Sequence, residues 1–354
     1  MDKKRIYQSC KVLITAFILV LCLTGCGKLN RDTKIVLTTG FTKDEVFRIE
    51  SASCYKKEVM VYLTNLQNRY EQVYGAEIWQ QEQDGVTIEE SVKESVLAEL
   101  AQIKTMNLMA EKYGISLEEA EQDAVNEAAK VYFESLTEAE REALDVTLDT
   151  IRQLYREYAL ADKVYEYMIK DVNPEISDDE ARTVVVQQIL VKFGGQEASG
   201  DTEPYTEQQK SYAYARAEEA LRRIEAGEDF DVVATRYNEA AESTVSIRKG
   251  ETDPACEEAA FQLGNEEISE IFETKEGYCI LKCVSTLNRE ETDLNKVKIV
   301  EERKREAFSR EYDSYVQTLT RHMNEELWQE ITLLHDSRIT TFSFFDVFAE
   351  YYGN

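Results

Sequence analysis

The chain predicts an α+β fold: a mostly helical module carrying a small inserted domain of antiparallel sheet plus helices. Three observations predict it. Residues 36–172 contain no proline and four glycines, and they place apolar residues at helical spacing between capping boxes. Residues 184–288 break that pattern, with β-rich runs at either end and two short helical stretches between them. Helical spacing then returns over residues 293–335. Such a succession suits helices packed around a small sheet, not a doubly wound fold in which strands and helices alternate throughout.

The first element is not part of the fold. Lys3-Lys4-Arg5 form a positive n-region, and Val12 to Leu23 is an apolar run of twelve residues, too short for an ordinary spanning helix. Leu23-Thr24-Gly25-Cys26 follows and looks like a bacterial lipobox, with cleavage before Cys26 and lipidation of its thiol. Each buried methylene of an acyl chain contributes about 0.8 kcal/mol to anchoring. The mature protein is therefore expected on the extracytoplasmic face of the cell membrane, held by lipid on Cys26. Lys28 to Lys34 reads as a polar tether.

The helical elements come next. Thr87-Ile88-Glu89-Glu90 is a capping box opening a helix with Val92, Val96, Leu100, Ile103 and Ala110 on one stripe, closed by Gly114. Ser116-Leu117-Glu118-Glu119 is a second box, and Thr137-Glu138-Ala139-Glu140 opens a short third helix. Leu148 to Ile169 forms a long fourth, stopped by Pro174. Ser177-Asp178-Asp179-Glu180 is another capping box, after which Val184 to Phe193 reads as a strand. Helices follow from Thr206 to Glu225 and around Phe230, Val233, Ala234 and Tyr237, with short strands near Ile268 and over Tyr278–Val284. In the last segment Val297, Val300, Phe308, Tyr312, Tyr315 and Leu319 stand at helical spacing. The tail from Ile339 to Tyr352 carries Phe342, Phe344, Phe345, Phe348, Tyr351 and Tyr352, and its expected role is to dock into the helical core, not to serve as a client-binding arm.

Two of these stretches resemble a known family. Val184-Val185-Val186-Gln187-Gln188-Ile189-Leu190-Val191 resembles the opening strand of a parvulin-type (rotamase) peptidyl-prolyl isomerase domain. Glu257-Glu258-Ala259-Ala260-Phe261 and Gly277-Tyr278-Cys279-Ile280-Leu281-Lys282-Cys283-Val284 resemble its closing pattern. Ala110-Glu111-Lys112-Tyr113-Gly114-Ile115-Ser116-Leu117-Glu118-Glu119 resembles the helical module of PrsA- and SurA-type extracytoplasmic foldases. The resemblance implies this layout: signal peptide 1–25, lipidated Cys26 and tether 26–40, helical foldase module 41–183, parvulin-like domain 184–288, and a C-terminal helix and aromatic tail 289–354 packing back on the module. It further implies a chaperone or foldase whose partners are unfolded or partly folded secreted proteins.

The departures fall where the family keeps its chemistry. Isomerising an X-Pro bond crosses a barrier of about 20 kcal/mol, and the family does so with an apolar pocket beside a polar cluster of histidines and a cysteine or aspartate. By the resemblance, Gln188 and Cys279 stand at the two histidine positions and Ala240 at the cysteine or aspartate position. Thr252 stands at the pocket methionine and Cys256 at the pocket phenylalanine. No catalytic residue is therefore assigned, and weak or absent isomerase activity is expected. An active isomerase with unusual residues and a non-catalytic surface-binding lipoprotein are the alternatives.

Composition narrows the remaining classes. Without residues 1–25 the charge is 37 minus 68, or −31, which disfavours any nucleic-acid partner. Cys54, Cys256, Cys279 and Cys283 show no zinc-ligand or CxxC spacing, so no metal or cofactor is expected. Cys279 and Cys283 lie about 13 Å apart along one strand, too far to bridge. Cys256 and Cys279 replace residues that share one groove in the resembled family, and buried free thiols are the default expectation for them. His322 and His335 are expected on the surface of a helical tail.

Overall fold

The computed structural model describes residues 40–194 and 205–352; Cys26, the signal region and most of the loop after Phe193 lie outside them. It divides into two units, residues 40–171 with 305–352, and residues 172–304. In chain order the first unit begins with β1 (Glu45–Ile49) and β2 (Ala52–Tyr55), then α1 (Lys56–Tyr74). A short ribbon follows, β3 (Glu82–Gln83) and β4 (Val86–Thr87), before α2 (Ile88–Tyr113), α3 (Glu119–Ser135), α4 (Glu138–Leu144) and α5 (Leu148–Ile169). The second unit holds α6 (Asp178–Ala181), β5 (Thr183–Lys192), α7 (Glu207–Glu225), α8 (Phe230–Tyr237), β6 (Thr244–Arg248), α9 (Pro254–Gln262), β7 (Phe272–Glu273) and β8 (Gly277–Ser285). Helix α10 (Arg289–Val316) runs on into the first unit, which ends with β9 (Arg321–Met323), α11 (Glu325–Glu330) and α12 (Phe344–Tyr351).

Three local readings change. Residues 45–55 form a hairpin and not helix: Glu50, at a φ of 49°, turns β1 back on β2 so that Ile49 faces Ala52. Helix α10 stops at Val316, and residues 321–323 add a third strand to the exposed edge of β1, pairing Phe47 with Met323. An open edge offering main-chain bonds outweighs helix propensity there, and it draws His322 into a strand. The capping box expected at Ser116 sits two residues later: Glu118 caps α3 and its N–H donates to Glu121 at 2.6 Å.

The helical unit is organised around Phe344, which is fully buried. Its ring centroid lies 5.2 Å from Tyr62, 5.1 Å from Tyr132 and 4.5 Å from Tyr155. Buried polar side chains take up the main-chain groups that this tail brings inward. Asn65 Oδ1 accepts from Phe344 N–H at 3.0 Å, and Tyr155 Oη donates to the Phe344 carbonyl at 2.6 Å. Gln67 makes both bonds to the main chain of Leu334, and Glu140 Oε1 accepts from Thr340 and Thr341 N–H at 2.8 Å each. Elsewhere in this unit, buried Lys104 Nζ bridges Glu58 at 2.6 Å and Glu157 at 2.8 Å. None of the described helices is long and apolar enough to cross a membrane.

The second unit is a four-stranded antiparallel sheet in the order β6-β5-β8-β7. Alternation along the strands gives it two apolar faces. Ile189, Val191 and Ile280 pack under α7 and α8 against Ala217, Phe230 and Val233. Val186, Leu190, Cys279 and Leu281 face the other way, toward Ala260 of α9. The expected strand near Ile268 is reduced to a single bridge with Lys282. Where the sheet begins and ends, the chain meets itself: Asn288 N–H donates to Thr183 O at 2.9 Å, and Thr183 N–H donates to Thr292 Oγ1 at 3.1 Å.

Candidate functional site

The second apolar face of the sheet is where the substituted positions gather. In the β5–β8 ladder Leu190 lies opposite Cys279 and Gln188 opposite Leu281. Gln188 therefore shares a face with Cys279 as its diagonal neighbour, about 7 Å away by strand geometry. The ladder is tight at its end. A Cβ on Gly277 would stand 2.1 Å from the Val191 carbonyl oxygen, so only glycine lets β8 approach β5 there.

Beyond Gln187, strand β6 gives way to the loop 238–243, which continues along the same edge of β5. Gln188 N–H donates to Ser243 O at 2.7 Å, and its Nε2 donates to Glu242 O at 2.9 Å. Asn238 Oδ1 accepts from Leu190 N–H at 3.0 Å and from Ala240 N–H at 3.2 Å. Glu239 N–H donates to Leu190 O at 2.8 Å, while its carboxylate accepts from Lys192 N–H at 2.7 Å and pairs with Arg216. The Gln188 amide is thus committed to holding this loop. Ala240, half-buried on it, offers the groove only a methyl group.

Cys256 and Cys279 complete the arrangement. Asp253 caps α9, accepting from Ala255 N–H at 2.9 Å, and Pro254 opens the helix, which sets Cys256 in its first turn. Cys256 is half-buried against the cluster that contains Cys279, itself 1 % exposed in the middle of β8. Both are free thiols, and they pack into one apolar cluster. The bond from Cys279 holds the Cys256 thiol below its ordinary pKa despite partial burial. The same bond, together with burial, pushes Cys279 well above its own.

Gln188, Ala240, Cys256 and Cys279 therefore meet on one face, whereas Thr252 is exposed in the turn before α9 and takes no part. Residues 172–304 contain no histidine. Among the described residues, the four that meet there present one engaged amide, a methyl and two thiols, none of them a strong donor to a twisted peptide bond. Asn238 and Glu239, which fix the loop, escaped the sequence reading; the signal was an Asn directly after the helix-ending Tyr237, able to accept from nearby main chain.

Comparison with known proteins places a family on this unit. The rotamase family model, described as a PPIC-type PPIase domain, matches residues 189–285, so the second unit carries a domain of that type. Among solved structures, the chain is similar to the peptidylprolyl isomerase PrsA of Bacillus cereus, with 16% identity, 90% of this chain and 99% of that chain covered, and a TM-score of 0.35. It is similar to PrsA of Bacillus subtilis at 17% identity, covering 89% and 99% with a TM-score of 0.25. It is also similar to a structure from work on Campylobacter jejuni PEB4 and Cj1289, described as SurA-like chaperones, at 12% identity, covering 79% and 98% with a TM-score of 0.29. No curated protein matches the chain.

Proposed function

We propose that this chain is a membrane-anchored extracytoplasmic foldase or chaperone for secreted proteins, in which the PPIC-type domain persists as a scaffold with weak or absent isomerase activity. The observation that carries the reading is the domain match over residues 189–285 combined with the groove's contents, Gln188, Ala240, Cys256 and Cys279. The chemistry has been removed while the β5–β8 ladder and the loop that frames the groove remain. Three further features support the rest: the lipobox ending at Cys26, the resemblance of residues 110–119 to foldase helical modules, and the dispersed negative charge that keeps an anchored chain soluble.

The test is a pair of assays on residues 26–354. Suppression of aggregation of an unfolded secreted protein, together with prolyl-peptide isomerisation orders of magnitude below an intact parvulin, is the expected outcome. Robust turnover of a short X-Pro peptide would promote the enzyme reading. Absence of both activities would leave a surface-binding lipoprotein.

A further inference from the structure

We propose that Cys256 and Cys279 form a dithiol–disulfide couple in which Cys256 attacks and Cys279 resolves, so that the eroded groove exchanges disulfides with thiol-bearing partners. The inference rests on these two thiols and not on the foldase reading. Three observations converge. The thiols belong to different elements, α9 and β8, yet pack into one apolar cluster. Their accessibility is unequal, Cys256 being half-buried and Cys279 1 % exposed. Cys256 also sits in the first turn of a nine-residue helix, at the positive end of the helix dipole.

The electrostatics divide the roles in the same way. Cys256, stabilised as thiolate by the Cys279 S–H, is the nucleophile, although Asp253 and Glu276 oppose its charge. Cys279, held protonated, waits until its partner is engaged. Cys54 and Cys283 are both buried, and neither has a comparable thiol partner among the described residues.

The exchange balances. The Cys256 thiolate attacks one sulfur of an external disulfide, forming a mixed disulfide and expelling one thiolate. That thiolate, or water, takes the proton of Cys279. The Cys279 sulfur then attacks Cys256 Sγ, closing the intramolecular disulfide and releasing the second external thiol. Two electrons pass from the protein dithiol to the external disulfide, and the reverse reaction oxidises an external dithiol.

The test uses residues 26–354 with Cys26→Ser and glutathione disulfide as the oxidant. Peptide mapping of the otherwise unchanged protein is expected to show a Cys256–Cys279 cross-link and release of both glutathione halves. Cys279→Ala is expected to stop at a stable Cys256–glutathione mixed disulfide, and Cys256→Ala to release none. In the reduced native protein Cys256 should alkylate at neutral pH about tenfold faster than Cys279, or more. A map with no Cys256–Cys279 peptide, or with Cys256 held as a mixed disulfide while Cys279 stays a thiol, overturns the proposal. The mapping needs no variant, so it decides the matter even if a cysteine substitution prevents folding.

Discussion

Replacing Phe344 by Ala removes the side chain around which the helical unit is assembled. The ring is fully buried, and its neighbours Tyr62, Tyr132 and Tyr155 are themselves buried and belong to three different helices. They cannot close on the vacated volume together, so the cost belongs in the middle to upper part of the range for such truncations, about 4 kcal/mol. The bonds of Phe344 N–H to Asn65 and of its carbonyl to Tyr155 involve main chain and survive the change. The loss is therefore one of packing. Both tryptophans, Trp79 and Trp328, lie in the helical unit, so tryptophan emission during urea unfolding reports that unit alone. With a urea dependence of about 2–3 kcal/mol per molar, the midpoint should fall by about 1.3–2 M. Tyr212→Ala, at a position 69 % exposed, should leave it unchanged. A shift below about 1 kcal/mol for Phe344→Ala would mean that the aromatic tail is not the core of this unit and would return it to the role of a client-binding arm.

Four further outcomes are expected. Burial raises the Glu99 carboxyl to about 7 from an ordinary 4.5, so its contribution to stability falls as pH rises between those values; Glu99→Gln should gain up to about 3 kcal/mol at pH 8 and almost nothing at pH 4.5, and equal gains at both would refute the burial account. Lys104→Ala should cost about 3–5 kcal/mol by stranding the Glu58 and Glu157 carboxylates, with Glu58→Gln in the same chain recovering part of the loss in thermal unfolding. Gln188→His, Ala240→Asp, Cys256→Phe and Cys279→His together should raise prolyl isomerisation where each alone does little, whereas adding exposed Thr252→Met should contribute nothing further. Cys26→Ser should leave an unprocessed precursor without metabolic fatty-acid label, and normal processing would refute lipidation.

Much of this fold could be read from side-chain spacing because its helices announce their own ends. Thr87, Thr137, Ser177 and Thr206 each cap the helix they were expected to open, since a short polar side chain that accepts a main-chain N–H acts within one turn. The hairpin at Glu45–Tyr55 and the strand at Arg321–Met323 were not legible. Each is short; the hairpin turns at a non-glycine residue, Glu50, and the strand at 321–323 exists because it pairs with a segment some 270 residues earlier in the chain. The candidate site divides the same way. The positions of Gln188 and Cys279 follow from strand register. The occupation of the Gln188 amide by Glu242, the clamp formed by Asn238 and Glu239, and the approach of two thiols depend on where the loop and α9 settle, which a linear pattern does not carry.

The bond between Asn288 N–H and Thr183 O gives residues 183–288 of the second unit a single gateway, through which that stretch of chain both enters and leaves. From the helical unit's side, everything between those residues is one excursion whose ends are already tied. The entropy of closing such an excursion grows only with the logarithm of its length, each doubling adding about 0.6 kcal/mol. What the excursion contains then meets the flanking helices at a few points, among them Ser246 and Arg248 on Glu291 of α10 and Lys249 on Asp179 of α6. Substitutions inside the groove can accumulate freely, provided the sheet still closes its gateway. A second unit without histidines on an intact β5–β8 ladder is the pattern that such tied ends permit.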